Sequence, residues 1–166
     1  SICERSRKRS TSTQDRVSTS LAVGEGSSQR YVRRKKINLE LFRLKECIDS
    51  IFYVKDFITC EEEKKILADV DRLPWISLRR RKLQNHGGTP HHDGMFRETL
   101  PSFLQHVCDS LVETDIFPPE NAPNHVLVNS YARGQGIAPH MDGPLYDPCV
   151  AIVTLDGPAR LDFFSS

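Results

Sequence analysis

The sequence predicts an α+β domain, helices first and strands after, and three observations carry that prediction. Residues 59–73 and 101–113 place apolar side chains at helical spacing. From Asn124 onward the chain turns to β-formers, in His125-Val-Leu-Val-Asn-Ser-Tyr131 and again in Val150 to Leu155. Proline and glycine clusters, Pro118-Pro119, Gly134 to Gly136 and Gly157-Pro158, break the chain between these runs. That order suggests helices packed beside a sheet or barrel at the C-terminal end.

Each element has a local reason. Ile51-Phe-Tyr-Val54 is a short apolar run that reads as a strand. Thr59 followed by Glu62 is a capping-box pattern, in which the two side chains satisfy each other's backbone amide. The helix it opens turns Ile66, Leu67 and Val70 inward and ends before Pro74. A second helix begins near Pro101, with Phe103, Leu104, Val107 and Leu111 on one face. In the strand that follows, period-2 geometry puts Leu127, Asn129 and Tyr131 on one side. Val150 to Leu155 is expected to be another strand, and Arg160 to Phe164 to begin a further one.

Charge divides the chain. Its 166 residues carry a net +1. Residues 1–36 hold 10 Lys+Arg against 3 Asp+Glu, a local +7, and residues 37–166 hold the other 13 and 19, a local −6. The whole chain therefore has no electrostatic case for nucleic-acid binding, whereas its N-terminal part has one. Residues 1–29 contain 11 Ser/Thr and few large apolar residues, so they cannot bury enough surface to offset their ordering entropy. The expected organisation is a disordered basic tail over 1–36, closing on Arg33-Arg-Lys-Lys36, and a folded domain over 37–166. The basic run is compatible with a solvated tail and with a nuclear-import or nucleic-acid-contacting arm.

No apolar run approaches the roughly 18 residues of a membrane-spanning helix, and no secretory signal pattern follows the basic start. No membrane association is expected. The five cysteines are scattered and form no Cys-x-x-Cys, which reads as reduced intracellular thiols. The chain starts at Ser1 without a methionine and stops just after Phe163-Phe164, so it is expected to be a piece of a longer one.

Six histidines supply the chemistry to consider. His-x-Asp occurs at His91/Asp93 and at His140/Asp142. Two imidazoles and one carboxylate on one face of Fe(II) leave positions open for a bidentate cosubstrate and O₂. A His and an Asp two apart at a strand end supply two of those three ligands, and a distant His must supply the third. No His follows His140. An assignment of His91, Asp93 and His140 as the full set is permitted by composition. The context favours His140/Asp142 as the pair, because His91 sits in a polar stretch, Asn85 to Gly94, with no strand before it, whereas His140 follows a strand and a glycine loop. Asn129 and Tyr131 could face the same cavity and donate hydrogen bonds to a small dicarboxylate. They are also compatible with a backbone-satisfying amide and a core aromatic.

These residues, in order, resemble a known family. Asn129-Ser-Tyr131, Gly134-x-Gly136 and His140-Met-Asp142 are similar to the Fe(II)/2-oxoglutarate dioxygenases of the AlkB type. The longer run Pro139-His-Met-Asp-Gly-Pro-Leu-Tyr146, with Arg81-Lys-Leu-Gln-Asn85 and Gly87-Gly88 upstream, is similar to the sixth AlkB homologue group. The likeness covers about residues 48–164. It implies a double-stranded β-helix (jelly roll) with flanking N-terminal helices. It implies Fe(II) on His140 and Asp142, with 2-oxoglutarate contacted by Asn129 and Tyr131. The implied reaction consumes O₂ and 2-oxoglutarate to oxidise a methyl or similar group on nucleic acid, or less often on protein, releasing succinate and CO₂. Arg79-Arg80-Arg81-Lys82 lies where the family's substrate-recognition lids begin and could contact phosphate or be an exposed charged loop.

The resemblance also implies what these 166 residues lack. The family's distal His, its 2-oxoglutarate-binding arginines and the last strands of the jelly roll would lie beyond Phe164. The expectation is a monomer of the nucleus and/or cytoplasm, partnered by DNA or RNA, and inactive in this partial form. The competing expectation is a non-catalytic nucleic-acid-binding module that uses the basic tail and Arg79 to Lys82.

Overall fold

A computed structural model describes residues 33–45 and 50–164. They fall within one compact unit, Arg33–Ser166, and the expected tail over 1–32 lies outside the described residues. The architecture is α+β, with two helices and two antiparallel sheets. The elements are α1 (Cys60–Asp71), β1 (Ile76–Leu78), β2 (Arg81–His86), β3 (Gly88–His91), β4 (Gly94–Arg97), α2 (Ser102–Glu113) and β5 (Val126–Ser130). Helices and strands thus interleave, which corrects the expected helices-then-strands order. None of the described helices is long and apolar enough to cross a membrane.

Helix α1 starts where the capping box places it. Thr59 Oγ1 accepts from the Glu62 amide at 3.2 Å, and Glu62 Oε2 accepts from the Thr59 amide at 2.9 Å. At the other end Gln84 Nε2 donates to the carbonyls of Val70 and Leu73, at 2.8 and 3.2 Å, the first of which also accepts from the Leu73 amide. Gln84 is 3% exposed, so a buried amide on β2 closes a helix that has no basic residue in its last turn. Helix α2 closes on Thr114, whose fully buried hydroxyl donates to the carbonyls of Ser110 and Leu111.

Strand β2 is the centre of a three-stranded sheet in the order β1-β2-β5. Register pairs Ile76 with Leu83, Leu83 with Asn129, and Asn85 with Leu127. Directly paired residues share a face. One face therefore carries Gln84, Val126 and Val128, and the other carries Ile76, Leu78, Arg81, Leu83, Leu127 and Asn129. Val126 and Val128 pack on the buried cluster of Leu100, Leu104 and Cys108 from α2 and its approach. The opposite face is open: Ile76, Leu78 and Leu127 are each about half exposed.

Arg34 fastens both helices to the chain before them. Its Nη2 meets Glu62 Oε2 at 2.7 Å, its Nη1 donates to Ser110 Oγ at 2.9 Å, and its Nε and Nη2 donate to the Phe57 carbonyl. The side chains of Arg34 and Glu62 are only 11% and 9% exposed. Burial pushes the Glu62 carboxyl up, but the Thr59 amide and the Arg34 guanidinium outweigh it and hold the carboxyl below its ordinary value. Arg34 is therefore part of the fold, so the basic run 33–36 does not act as one solvated tail.

Two further expectations change. Ile51 to Val54 forms only an isolated bridge, Phe52 to Arg43. Val150 to Leu155 and 160 to 164 join no ladder among the described residues, because their β-forming side chains meet no partner strand there. In the other direction, the polar stretch around His91 is a strand. Strands β3 and β4 form a hairpin, and Gly87, with φ +89°, turns β2 into it. A Cβ at Gly87 would collide with the Asn124 carbonyl oxygen, so glycine is required there.

Candidate metal and substrate site

The sheet carries several of the candidate residues. Asn129 stands on β5 directly opposite Leu83, on the open face, and Tyr131 follows one residue past the strand end. Both are exposed. Arg81 lies on the same face of β2 as Leu83, two residues along. The four basic residues do not form one loop. Arg79 and Arg80 occupy the turn between β1 and β2, whereas Arg81 and Lys82 are the first two residues of β2 and point to opposite faces.

His140 and Asp142 lie in irregular chain after the Gly134 turn rather than at a strand end. The His140 Nδ1 is 2.8 Å from the Ala138 carbonyl oxygen. A carbonyl can only accept, so Nδ1 carries the proton and the neutral ring keeps its lone pair on Nε2. That Nε2 is 3.7 Å from Asp142 Oδ1, with the two side chains 50% and 53% exposed. The donor set fits a divalent ion as far as it goes: one imidazole in the ligating tautomer and one carboxylate, side by side and open to solvent.

The segment carrying this pair is tied back to the sheet. Tyr146 sets its ring 5.3 Å from that of His125, and His125 Nε2 donates to Asn85 Oδ1 at 2.7 Å. Asn85 in turn donates to the Gly88 carbonyl. Burial holds both His125 and His86 below the ordinary imidazole value. This network and the Gln84 cap were missed in the sequence. Their only signal was an unusually polar strand, Arg-Lys-Leu-Gln-Asn-His.

Among the described residues, one group of three metal-ligating side chains comes together, namely His91, His92 and Asp93. His140 is not in it. The assignment of His91, Asp93 and His140 as a single ligand set is therefore not the arrangement the fold makes.

No protein-family model matches the chain. Among curated proteins it is 40% identical over 134 residues to a Danio rerio protein named "Probable RNA/DNA demethylase ALKBH6", covering 79% of this chain and 57% of the relative. It is 32% identical over 126 residues to the "Alkylated DNA repair protein ALKBH8 homolog" of Arabidopsis thaliana, covering 70% and 36%. It is 29% identical over 107 residues to the "tRNA (carboxymethyluridine(34)-5-O)-methyltransferase ALKBH8" of Macaca fascicularis, covering 55% and 16%. The chain thus spans little more than half the length of the first of these relatives.

Proposed function

From this chain's membership of the AlkB-like family, we propose that it is part of an Fe(II)- and 2-oxoglutarate-dependent dioxygenase. The reaction is oxidative demethylation of nucleic acid, DNA or RNA, with a protein side chain as the remaining substrate class. The observation that carries the reading is the His140 ring, held by the Ala138 carbonyl so that its free Nε2 faces Asp142. When bound, Fe(II) with 2-oxoglutarate and O₂ supplies the oxidising chemistry.

The residues of this chain divide the remaining work. His140 and Asp142 would hold the ion, with a distal His still to be contributed. Asn129 and Tyr131, exposed at the end of β5, would donate an amide and a phenol proton to the cosubstrate's carboxylates. Arg79 and Arg80 in their turn, with Arg81 and Lys82, would contact substrate phosphate. The double-stranded β-helix belongs to the same proposal: the β1-β2-β5 sheet would be one wall, its open face turned to the site. The protein would act as a monomer in the nucleus and/or cytoplasm.

The test is succinate release from 2-oxoglutarate by the full-length gene product, with Fe(II) and methylated oligonucleotides. His140→Ala is expected to abolish it. Unchanged turnover in that variant would remove His140 from the site.

The exposed β1-β2 turn favours one second reading, a binding module without catalysis. Neutralising Arg79 and Arg80 would then weaken nucleic-acid binding and lower its salt dependence by about two charges, with no requirement for iron.

A further inference from the structure

We propose that the tip of the β3-β4 hairpin is a separate site for a transition-metal dication, Zn²⁺ by preference, held by His91, His92 and Asp93. The inference does not rest on the dioxygenase reading, and it concerns residues that reading leaves unused.

The hairpin geometry gathers the donors. His91 is the last residue of β3, His92 and Asp93 are the two turn residues, and Gly94, paired across from His91, begins β4. Gly94 takes φ +125°, a backbone state L side chains rarely adopt, and this lets the chain reverse within two residues. Three consecutive side chains are thereby brought to one end of a hairpin instead of alternating across it. One ligand atom from each lies within 4.8 Å of the others.

The distances suit one shared ion. His91 Nδ1 is 3.4 Å and His92 Nε2 3.0 Å from the same oxygen, Asp93 Oδ2. Zinc sits roughly 2.0–2.2 Å from such donors in a tetrahedral site, which puts neighbouring donors about 3.3 Å apart. The two separations to the carboxylate lie close to that value, whereas the full set, spread over up to 4.8 Å, must close in around the ion. The His91 ring is also prepared. The Asp93 amide donates to its Nδ1 at 3.3 Å, so that nitrogen carries no proton, and the ion takes over its lone pair by displacing this long hydrogen bond. Its ring is held between Phe96 at 4.8 Å and His92 at 3.9 Å.

The donor chemistry selects the metal class. Two imidazoles and one carboxylate suit the first-row transition dications from Fe²⁺ to Zn²⁺, whereas Mg²⁺ and Ca²⁺ need more oxygen. The side chains are 38%, 77% and 72% exposed, so the ion can enter and a fourth position faces solvent. Within this chain the hairpin offers three donors where His140 and Asp142 offer two. Zinc added to the 166-residue chain should therefore load the hairpin first.

The experiment is Zn²⁺ titration by calorimetry at pH 7.5, on the 166-residue chain and on three variants. The expected result is one ion per chain. Joint replacement of His91 and His92 by Ala weakens it about 100-fold or more, Asp93→Asn weakens it at least about tenfold, and His140→Ala leaves it within about twofold. Co²⁺ in place of Zn²⁺ should show tetrahedral visible bands in the native chain and lose them with His91 and His92. No binding by the native chain, equal binding by the His91/His92 variant, or a loss that follows His140 would each overturn the proposal. Failure of the dioxygenase reading would appear instead in the His140 arm of the succinate assay.

Discussion

The two faces of the β1-β2-β5 sheet share every strand and none of their surroundings. On the closed face Val126 and Val128 pack on Leu100, Leu104 and Cys108, and Gln84 reaches the end of α1. On the open face Ile76, Leu78 and Leu127 stay about half in water beside Asn129. The difference teaches where stability and function separate in this chain. Alternation along a strand hands one set of residues to packing and the next to solvent or substrate. A substitution should therefore act on stability or on binding according to its parity, even between neighbours.

The largest break should come from behind the closed face. Arg34→Met leaves the Glu62 carboxylate almost buried without its cation, which costs about 3–5 kcal/mol. Urea denaturation followed by circular dichroism measures it, and a loss below about 1 kcal/mol would mean the pair is dispensable. Next, Gln84→Leu removes the buried donor to the Leu73 carbonyl and one of the donors to the Val70 carbonyl, which keeps the Leu73 amide, at about 1–2 kcal/mol. The sharpest contrast is between adjacent residues. Val128→Ala should cost about 1–2 kcal/mol and Leu127→Ala less than about 0.5 kcal/mol, by the same denaturation. Equal costs would show that the open face is covered in solution.

A pH series tests both sides without mutation, through His86 on the closed face and through His125, bonded to Asn85, on the open one. His86 and His125 have folded values depressed by burial below 6.5, so the unfolded chain binds more protons. Their contribution is complete above about pH 6.5 and is lost as the pH falls below it. Glu62, depressed below 4.5, adds a second loss only at lower pH. The denaturation midpoint should drop between pH 7.5 and 5.5, and His125→Asn should shrink that drop. The smallest effect is on the open side. Tyr131→Phe removes one hydroxyl and should weaken apparent 2-oxoglutarate affinity in the full-length protein with no change in stability.

Local signals explain which elements could be read in advance. The Thr59/Glu62 box, the α2 stripe and the β5 alternation are each complete within a few residues, and each forms where it was expected. Strand β2 could not be read that way, because its inward residue is Gln84. That amide is buried for the sake of helix carbonyls 11 and 14 residues upstream. The β3-β4 hairpin was hidden behind histidines and a turn built on the φ of Gly94. Val150 to Leu155 shows the converse, strong β-formers without a neighbouring strand among the described residues.

The order and chemistry of its motifs were determined by the sequence alone. Asn129-x-Tyr131 and His140-x-Asp142 need no fold to be recognised, and period-2 geometry already set Asn129 beside Leu127. Only the tertiary structure decided which partners those residues meet. It turned Arg34 from a tail charge into a clamp, split Arg79 to Lys82 between a turn and two sheet faces, and gathered His91, His92 and Asp93 without His140. The physical reason is common to all three. A side chain's propensity is a local property, whereas burial, ion pairing and ligand sharing depend on residues that the chain brings close only after it has folded.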